Sequence, residues 1–322
     1  MDKFLDIKAK KSLGQNFLKS KKALLAMINA GEVGENDIVL EAGPGKGALT
    51  EELLKKAGKV IAVEKDSALV EFLRQNFSPE IASGKLQLVH GDILEFNPAT
   101  CHLQPTTFPS QPAAYKLIAN IPYYITGQFL RKFLSGANSR KNANALVDIQ
   151  PAKMVILLQK EVVKRIMAND GKESILSISV KAYGRPKNIG KVSKENFSPK
   201  PKVDSAILLI DNISRDFFTC HSRTGGNPDS RWPNLDPRFH GDDREGGNDI
   251  AEPFVIQTDE KRFFEIVKAG FAHKRKILAR NIESLAKNKE QIEEIFKNCG
   301  IPSKARAENL KIEQWKCLSS ML

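Results

Sequence analysis

Asn120, Ile121, Pro122 and Tyr123 stand in a row directly after the short apolar run Leu117-Ile118-Ala119. A carboxamide oxygen beside the next main-chain carbonyl makes a pair of acceptors suited to both hydrogens of one amino group. An exocyclic amine on adenine has its lone pair delocalised into the ring and is a poor nucleophile. Two accepted hydrogen bonds draw that nitrogen toward tetrahedral geometry and aim the lone pair at an electrophilic carbon. Pro122 stiffens the loop, and the face of Tyr123 can stack on a base taken out of its helix. Standing alone, the tetrad reads better as an asparagine capping a strand end ahead of a buried tyrosine.

A second chemical signal lies upstream in VLEAGPGKGALT (Val39–Thr50). An apolar run enters Gly43, Gly45 and Gly47 and a helical pattern follows. Missing side chains let the main chain approach a ligand, and a new helix N-terminus offers N–H donors. Glu64 ends the next apolar run, where a carboxylate can accept both hydroxyls of a ribose. Asp92, in His90-Gly91-Asp92-Ile93, suits a hydrogen bond to an adenine amine. The glycine spacing is GxGxG rather than GxGxxG, so a pyrophosphate-bearing dinucleotide is disfavoured. From this segment alone a nicotinamide or flavin cofactor and a purely structural turn both stay open. Together the three features favour a nucleoside cofactor with no pyrophosphate.

These residues need a scaffold that brings strand ends together. Strands are expected at Asp37–Glu41, Val60–Glu64, Leu86–Val89, Tyr115–Ala119 and Met154–Leu158. Helices are expected at Lys21–Ala30, Ala48–Ala57, after Glu64 to about Asn76, and at Phe129–Leu134. That alternation gives right-handed crossovers and a doubly wound α/β sheet. Ser174–Tyr183 and Ser205–Ile210 resemble later strands, with an antiparallel edge. Asn97–Ala114, rich in Pro, Thr and Gln, is expected to be a long loop.

Four regions follow: a basic N-terminal arm over 1–20, an α/β domain over 21–212, an insertion over 213–253 and a helical domain over 254–322. The insertion holds five Gly, four Pro and five Arg against eight Asp plus Glu. Its few aliphatic side chains cannot offset the entropy of ordering it, so disorder is expected. In the last region Phe263, Phe264, Val267 and Phe271 mark one apolar face, and Ile292, Ile295 and Phe296 another.

With 50 Lys plus Arg against 38 Asp plus Glu the chain carries a formal +12, which favours a polyanionic partner. Lys10 and Lys11 in the arm and His273, Lys274, Arg275, Lys276 and Arg280, crowded on one expected helix, are candidate RNA contacts. A solvated helix face is the plainer account of the second group. Cys101, Cys220, Cys299 and Cys317 lie far apart with no CxxC pair, which argues against a metal site and against disulfides and fits a reducing compartment. The N-terminus has no apolar core of a signal peptide and no stretch is long enough to span a bilayer, so the cytoplasm is expected and no membrane partner.

The motifs SLGQNFL (Ser12–Leu18), LEAGPGKGALT, GDIL, NIPYYIT, LQKEV (Leu158–Val162), FSPKPKVDSAIL (Phe197–Leu208), FAHKRKILARNI (Phe271–Ile282) and RAENL (Arg306–Leu310), in this order, resemble the ribosomal RNA adenine dimethyltransferase family. The resemblance implies a Rossmann-like methyltransferase domain, S-adenosyl-L-methionine as cofactor, and a small all-α C-terminal domain that binds RNA. It implies four methyl transfers to N6 of two adjacent adenines in the 3′-terminal hairpin of small-subunit rRNA, late in assembly of the subunit, by a chain expected to be monomeric. It further implies cofactor contacts at Asn16, Leu18, Gly43, Gly45, Glu64, Asp92 and Asn120, and Phe197 as a second wall around the target base. Tyr124 departs from the pattern, standing where many relatives carry Asn, and reshapes the pocket entrance. Other readings remain at this point: action on DNA or on large-subunit rRNA, which the tetrad also serves, and an RNA-binding assembly factor without catalysis.

Overall fold

The computed structural model describes residues 8–98, 115–136, 150–220, 256–257 and 259–322. The chain begins with a two-residue strand, β1 (Phe17–Leu18), and α1 (Lys21–Ala30), whose N-cap Ser20 accepts from the Ala23 N–H. β2 (Ile38–Ala42), α2 (Ala48–Leu54), β3 (Lys59–Glu64), α3 (Ser67–Asn76), α4 (Ser78–Ala82), β4 (Leu86–His90), β5 (Lys116–Ala119), α5 (Thr126–Ser135), β6 (Lys153–Gln159) and α6 (Lys160–Met167) continue the alternation. Then come α7 (Ile175–Lys181), β7 (Arg185–Val192), the short β8 (Phe197–Ser198) and β9 (Ser205–Asp211). A small ribbon, β10 (Thr219–Cys220) with β11 (Ile256–Gln257), precedes α8 (Glu260–Gly270), α9 (Leu278–Asn281), α10 (Lys289–Asn298) and α11 (Ile312–Met321).

Seven strands form one sheet in the order β4-β3-β2-β5-β6-β9-β7. The first five run parallel, and β9 and β7 are antiparallel additions. Successive residues of the inner strands point to opposite faces and into two separate cores. Val39, Val155 and Ile207 pack on one side with α1 and α2, while Leu40, Ile156 and Leu208 pack on the other. A strand covered on both faces must be apolar throughout, which is why these runs lack alternation. The second core continues without a break into Phe263, Ile266, Phe296 and Trp315 of the C-terminal helices.

Three expectations need correcting. Ser174–Tyr183 is not a strand: the Ser174–Ser177 capping box starts α7 there, and the alternation of Ser with aliphatics only imitated a two-residue period. The sheet edge is instead β7, an exposed, lysine-bearing strand with no apolar signal to find. The insertion does not begin at 213. Phe217 and Phe218 are buried against Phe263, with ring centroids 5.1 and 5.6 Å away, and their rings tie this stretch to the C-terminal helices. Residues 221–255, most of the expected insertion, lie outside the described residues, as do most of the expected Asn97–Ala114 loop and Cys101. Finally, Cys299 and Cys317 form a disulfide with Cα atoms 5.7 Å apart. The packing of α10 against α11 brings together two cysteines that look isolated in sequence, and the cysteine argument for a reducing compartment falls with it. Among the described residues no helix is long and apolar enough to cross a membrane, and no group of His, Cys, Asp and Glu could hold a metal.

Candidate active site

β2 has β3 on one side and β5 on the other, so the chain leaves β2 in one direction and returns on the opposite side. The crevice where the carboxyl ends of β2 and β5 part is the natural ligand site of such a sheet. Gly43 follows β2 with φ +70°, and a Cβ there would stand 3.7 Å from the Asn120 carbonyl, so the two strand ends nearly touch. Gly45, at φ +61°, passes beneath the ring of Phe17, where a Cβ would come within 2.9 Å of a ring carbon. The glycine turn is thus shaped both by its dihedrals and by the aromatic lid above it.

A cavity of about 710 Å³ occupies this crevice. Ten of the residues singled out in sequence line it: Asn16, Leu18, Gly43, Gly45, Glu64, Asp92, Asn120, Ile121, Pro122 and Tyr123. Glu64 is held by main-chain donors, Gly45 N–H to Oε2 at 3.1 Å and Asp66 N–H to Oε1 at 2.9 Å. Burial outweighs those bonds and raises its carboxyl above the ordinary range. Asp92 is set in its loop by the Leu94 N–H at 2.9 Å and by Lys65 Nζ at 2.7 Å. Burial pushes the Asp92 carboxyl up, but these bonds prevail and hold it below the usual carboxylate value.

The Asn120 side chain donates from Nδ2 to the Asn16 carbonyl at 3.1 Å. With the amide nitrogen so engaged, the carboxamide oxygen is left as the acceptor. Tyr123 is fixed by a 2.7 Å hydrogen bond between its hydroxyl and Ser205 Oγ on β9, and burial raises its phenol so that it stays neutral. The N-terminal arm is tied to the site too: Lys10 Nζ and Gln15 Nε2 donate to Asp66, at 2.7 and 3.0 Å, which caps α3.

Glu41 belongs to this cavity and was not singled out for a role. It is 1% exposed and, among the described residues, takes one hydrogen bond, from Thr50 Oγ1 at 2.7 Å, and has no partner for its Oε1. Burial first, then the neighbouring Glu64 charge, push its carboxyl up to about 8 against the Thr50 bond. A carboxylate inside the otherwise apolar IVLEA strand was the available signal. Lys65 and Ser205 carried no such mark.

Other expected residues lie elsewhere. Phe197 does not line the cavity; it pairs with Leu18 in the β1–β8 ribbon and packs into the core beneath it, as an apolar side chain of a two-residue ribbon does when one face is covered. Lys10 is engaged by Asp66, and Lys11 opens a 3-10 turn, Lys11–Leu13. His273, Lys274, Arg275 and Lys276 do not share a helix. α8 stops at Gly270, where a Cβ would come within 2.4 Å of Trp315, and the basic residues ride the turn before α9, with Arg280 beyond on α9. Asn281 Nδ2 clasps that turn through the carbonyls of Gly270 and His273, at 2.6 and 3.1 Å. His273, Lys274 and Lys276 edge a groove of about 1330 Å³ that also receives Arg131, Arg165 and Lys268. Leu94 and Gln128 line both groove and cavity, so the two are contiguous.

A mostly parallel sheet with a glycine turn at its switch point and acidic residues ending the neighbouring strands defines a Rossmann-like methyltransferase fold. Two crystal structures bear this out at the level of fold. The 23S rRNA methyltransferase ErmE superposes with a TM-score of 0.62 over 95% of this chain and 99% of its own, at 22% identity. A dimethyladenosine transferase from Plasmodium falciparum gives 0.64 over 94% and 95%, also at 22% identity. Residues 6–220 match the family described as ribosomal RNA adenine dimethylase. The ribosomal RNA small subunit methyltransferase A of Dehalococcoides mccartyi (strain CBDB1) is 34% identical over 97% of this chain and 88% of its own length, and that of Fusobacterium nucleatum is 33% identical over 97% and 96%. The chain belongs to the ribosomal RNA adenine dimethylase family.

Proposed function

We propose that this chain transfers methyl groups from S-adenosyl-L-methionine to N6 of two adjacent adenines in the 3′-terminal hairpin of small-subunit rRNA. The observation that carries the reading is the locked carboxamide of Asn120, whose nitrogen is held by Asn16 while its oxygen remains an acceptor beside the glycine turn. The small-subunit assignment is supported by relatives of that printed name covering nearly the whole chain.

The cavity fits the cofactor on its donor set. Glu64 has the reach and lone pairs for ribose hydroxyls, Asp92 for an adenine amine, and the Gly43 and Gly45 main chain for close approach. The unpartnered Oε1 of Glu41 suits a cation, and a positive charge nearby would restore its ionised form. The cofactor supplies an electrophilic methyl on a sulfonium, a good leaving group. Asn120 Oδ1 and the Ile121 carbonyl accept the two N6 hydrogens and orient the lone pair. Tyr123, anchored by Ser205, holds the base by its ring. The proton leaves to water, so the chain needs no dedicated base.

The groove beside the cavity, with its basic edge, suits the phosphates of the flanking RNA helix. We infer action on a pre-30S particle, late in assembly, by a monomer in the cytoplasm; the location rests on the substrate class alone.

The test is methyl transfer from radiolabelled S-adenosyl-L-methionine to undermethylated small subunits, with large-subunit rRNA and DNA as competitors. Label confined to adenines of the small-subunit hairpin is expected. Label on DNA or large-subunit rRNA instead, or no cofactor binding, overturns the reading.

A further inference from the structure

Tyr123 and Tyr124 are consecutive in a 3-10 turn and face opposite environments. The first is anchored inward on Ser205; the second is 66% exposed, against 40% for the next most exposed large apolar side chain among the described residues, Ile189. Tyr124 nevertheless lines the cavity, and its ring rests against Gly14: a Cβ on Gly14 would stand 3.3 and 3.4 Å from its Cε1 and Cδ1. It makes no hydrogen bond among the described residues. A large aromatic ring left in water, backed by main chain and set at the mouth of a site, is a costly surface unless something covers it.

The rim around it is cationic. Lys19, Lys46 and Lys65 line the same cavity and are exposed, with Lys65 paired to Asp92 and Lys46 lying 5.5 Å over the Phe17 ring. An aromatic face beside lysines is how single-stranded nucleic acid is held: bases stack while phosphates meet the charges. Extruding one base also strips its neighbour of a stacking partner.

We propose that Tyr124 is the stacking platform for the purine next to the target adenine, holding the second base of the pair at the cavity mouth while the first is inside. This rests on the proposed rRNA substrate and goes beyond it by assigning a subsite to the exposed ring at the cavity mouth. The ring keeps the pair in register, so that after the first adenine is finished the second lies next to the tetrad rather than free in solution.

The test compares the wild type with Tyr124→Ala, Tyr124→Asn and Tyr124→Phe on undermethylated small subunits. Methylation of each adenine is followed by mass spectrometry, and cofactor affinity is measured on the same preparations. A short hairpin RNA carrying 2-aminopurine beside the target adenine reports stacking directly. For Tyr124→Ala and Tyr124→Asn the KM for subunits rises about tenfold, as loss of one base–aromatic stack predicts. Product with only one adenine dimethylated accumulates, and the fluorescence quench of the 2-aminopurine hairpin is lost. Tyr124→Phe keeps the low KM and the quench. Unchanged KM and quench in Tyr124→Ala overturn the proposal, as does a Phe variant no better than Ala. Equal losses in cofactor affinity and RNA KM would also overturn it, since the ring would then shape the cofactor pocket. Wild type that methylates no small-subunit adenine removes the underlying function together with this subsite, whereas active wild type with indifferent variants removes the subsite alone.

Discussion

The cavity at the strand ends and the basic turn between α8 and α9 recruit charge in opposite ways. In the cavity each acidic group is constrained: Glu64 by two main-chain amides, Asp92 by Leu94 and Lys65, Glu41 by burial with one oxygen unanswered among the described residues. In the turn, His273, Lys274, Arg275 and Lys276 are exposed, and only the backbone beneath them is clasped, by Asn281. A site that must discriminate atoms fixes its groups in advance, whereas a surface that meets a flexible polyanion keeps long side chains in water and fixes only their base.

The largest effect expected from this contrast is at Asn120. Asn120→Ala should lower turnover by about a hundredfold or more, the scale for removing one preorganised polar contact in a transition state. Cofactor binding should be weakened but measurable by calorimetry. Near-normal turnover would mean that the locked carboxamide does not act on the amine.

A smaller effect, readable in stability, is expected at Glu41. Its carboxyl titrates near 8 in the folded cofactor-free protein against 4.5 in the ordinary state, so folding takes up a proton between those values. Stability from this group is therefore lost as pH rises from about 4.5 to about 8 and changes no further above that. Glu41→Gln, which cannot ionise, should gain on the wild type through that window in urea denaturation, with the difference levelling off above pH 8. A difference independent of pH would show that the carboxylate is ionised throughout.

The smallest effect per residue belongs to the turn. Replacing Lys274, Arg275 and Lys276 by Ala should weaken rRNA binding and make its salt dependence shallower by about one unit of slope for each phosphate contact removed. The affinity for S-adenosyl-L-methionine should be as in the wild type. An unaltered salt slope would return these residues to the plainer role of a solvated surface.

The same contrast separates what was legible in the sequence from what was not. The strands of the parallel sheet and the cavity residues at their ends were readable because each follows from a local pattern: an apolar run, a glycine turn, a polar residue at the strand's end. Partnerships across distance left no such trace. Ser205 holds Tyr123 from the antiparallel half of the sheet, and Asp66 anchors Lys10 of the arm. Cys299 meets Cys317 only because α10 and α11 pack side by side. The basic cluster was visible as composition, but its shape was not, because the turn that carries it is clasped by Asn281 from beyond it in the chain. Glu41 stands between these cases: its strand was plain, yet only the packed sheet reveals how little surrounds its second oxygen.

The β1–β8 ribbon has a consequence for the order in which the protein is made. Leu18 pairs with Phe197, so the ribbon that carries the Phe17 ring over Gly45 joins an early part of the chain to a late one. A nascent polypeptide emerging from its ribosome would expose the glycine turn, Glu64, Asp92 and the asparagine tetrad well before Phe197 is synthesised. Asp66 and Asn120 can hold Lys10, Gln15 and Asn16 early, but β1 itself cannot be paired until β8 has been made. Binding competence would come as a late event of translation, after the parallel strands are already in place.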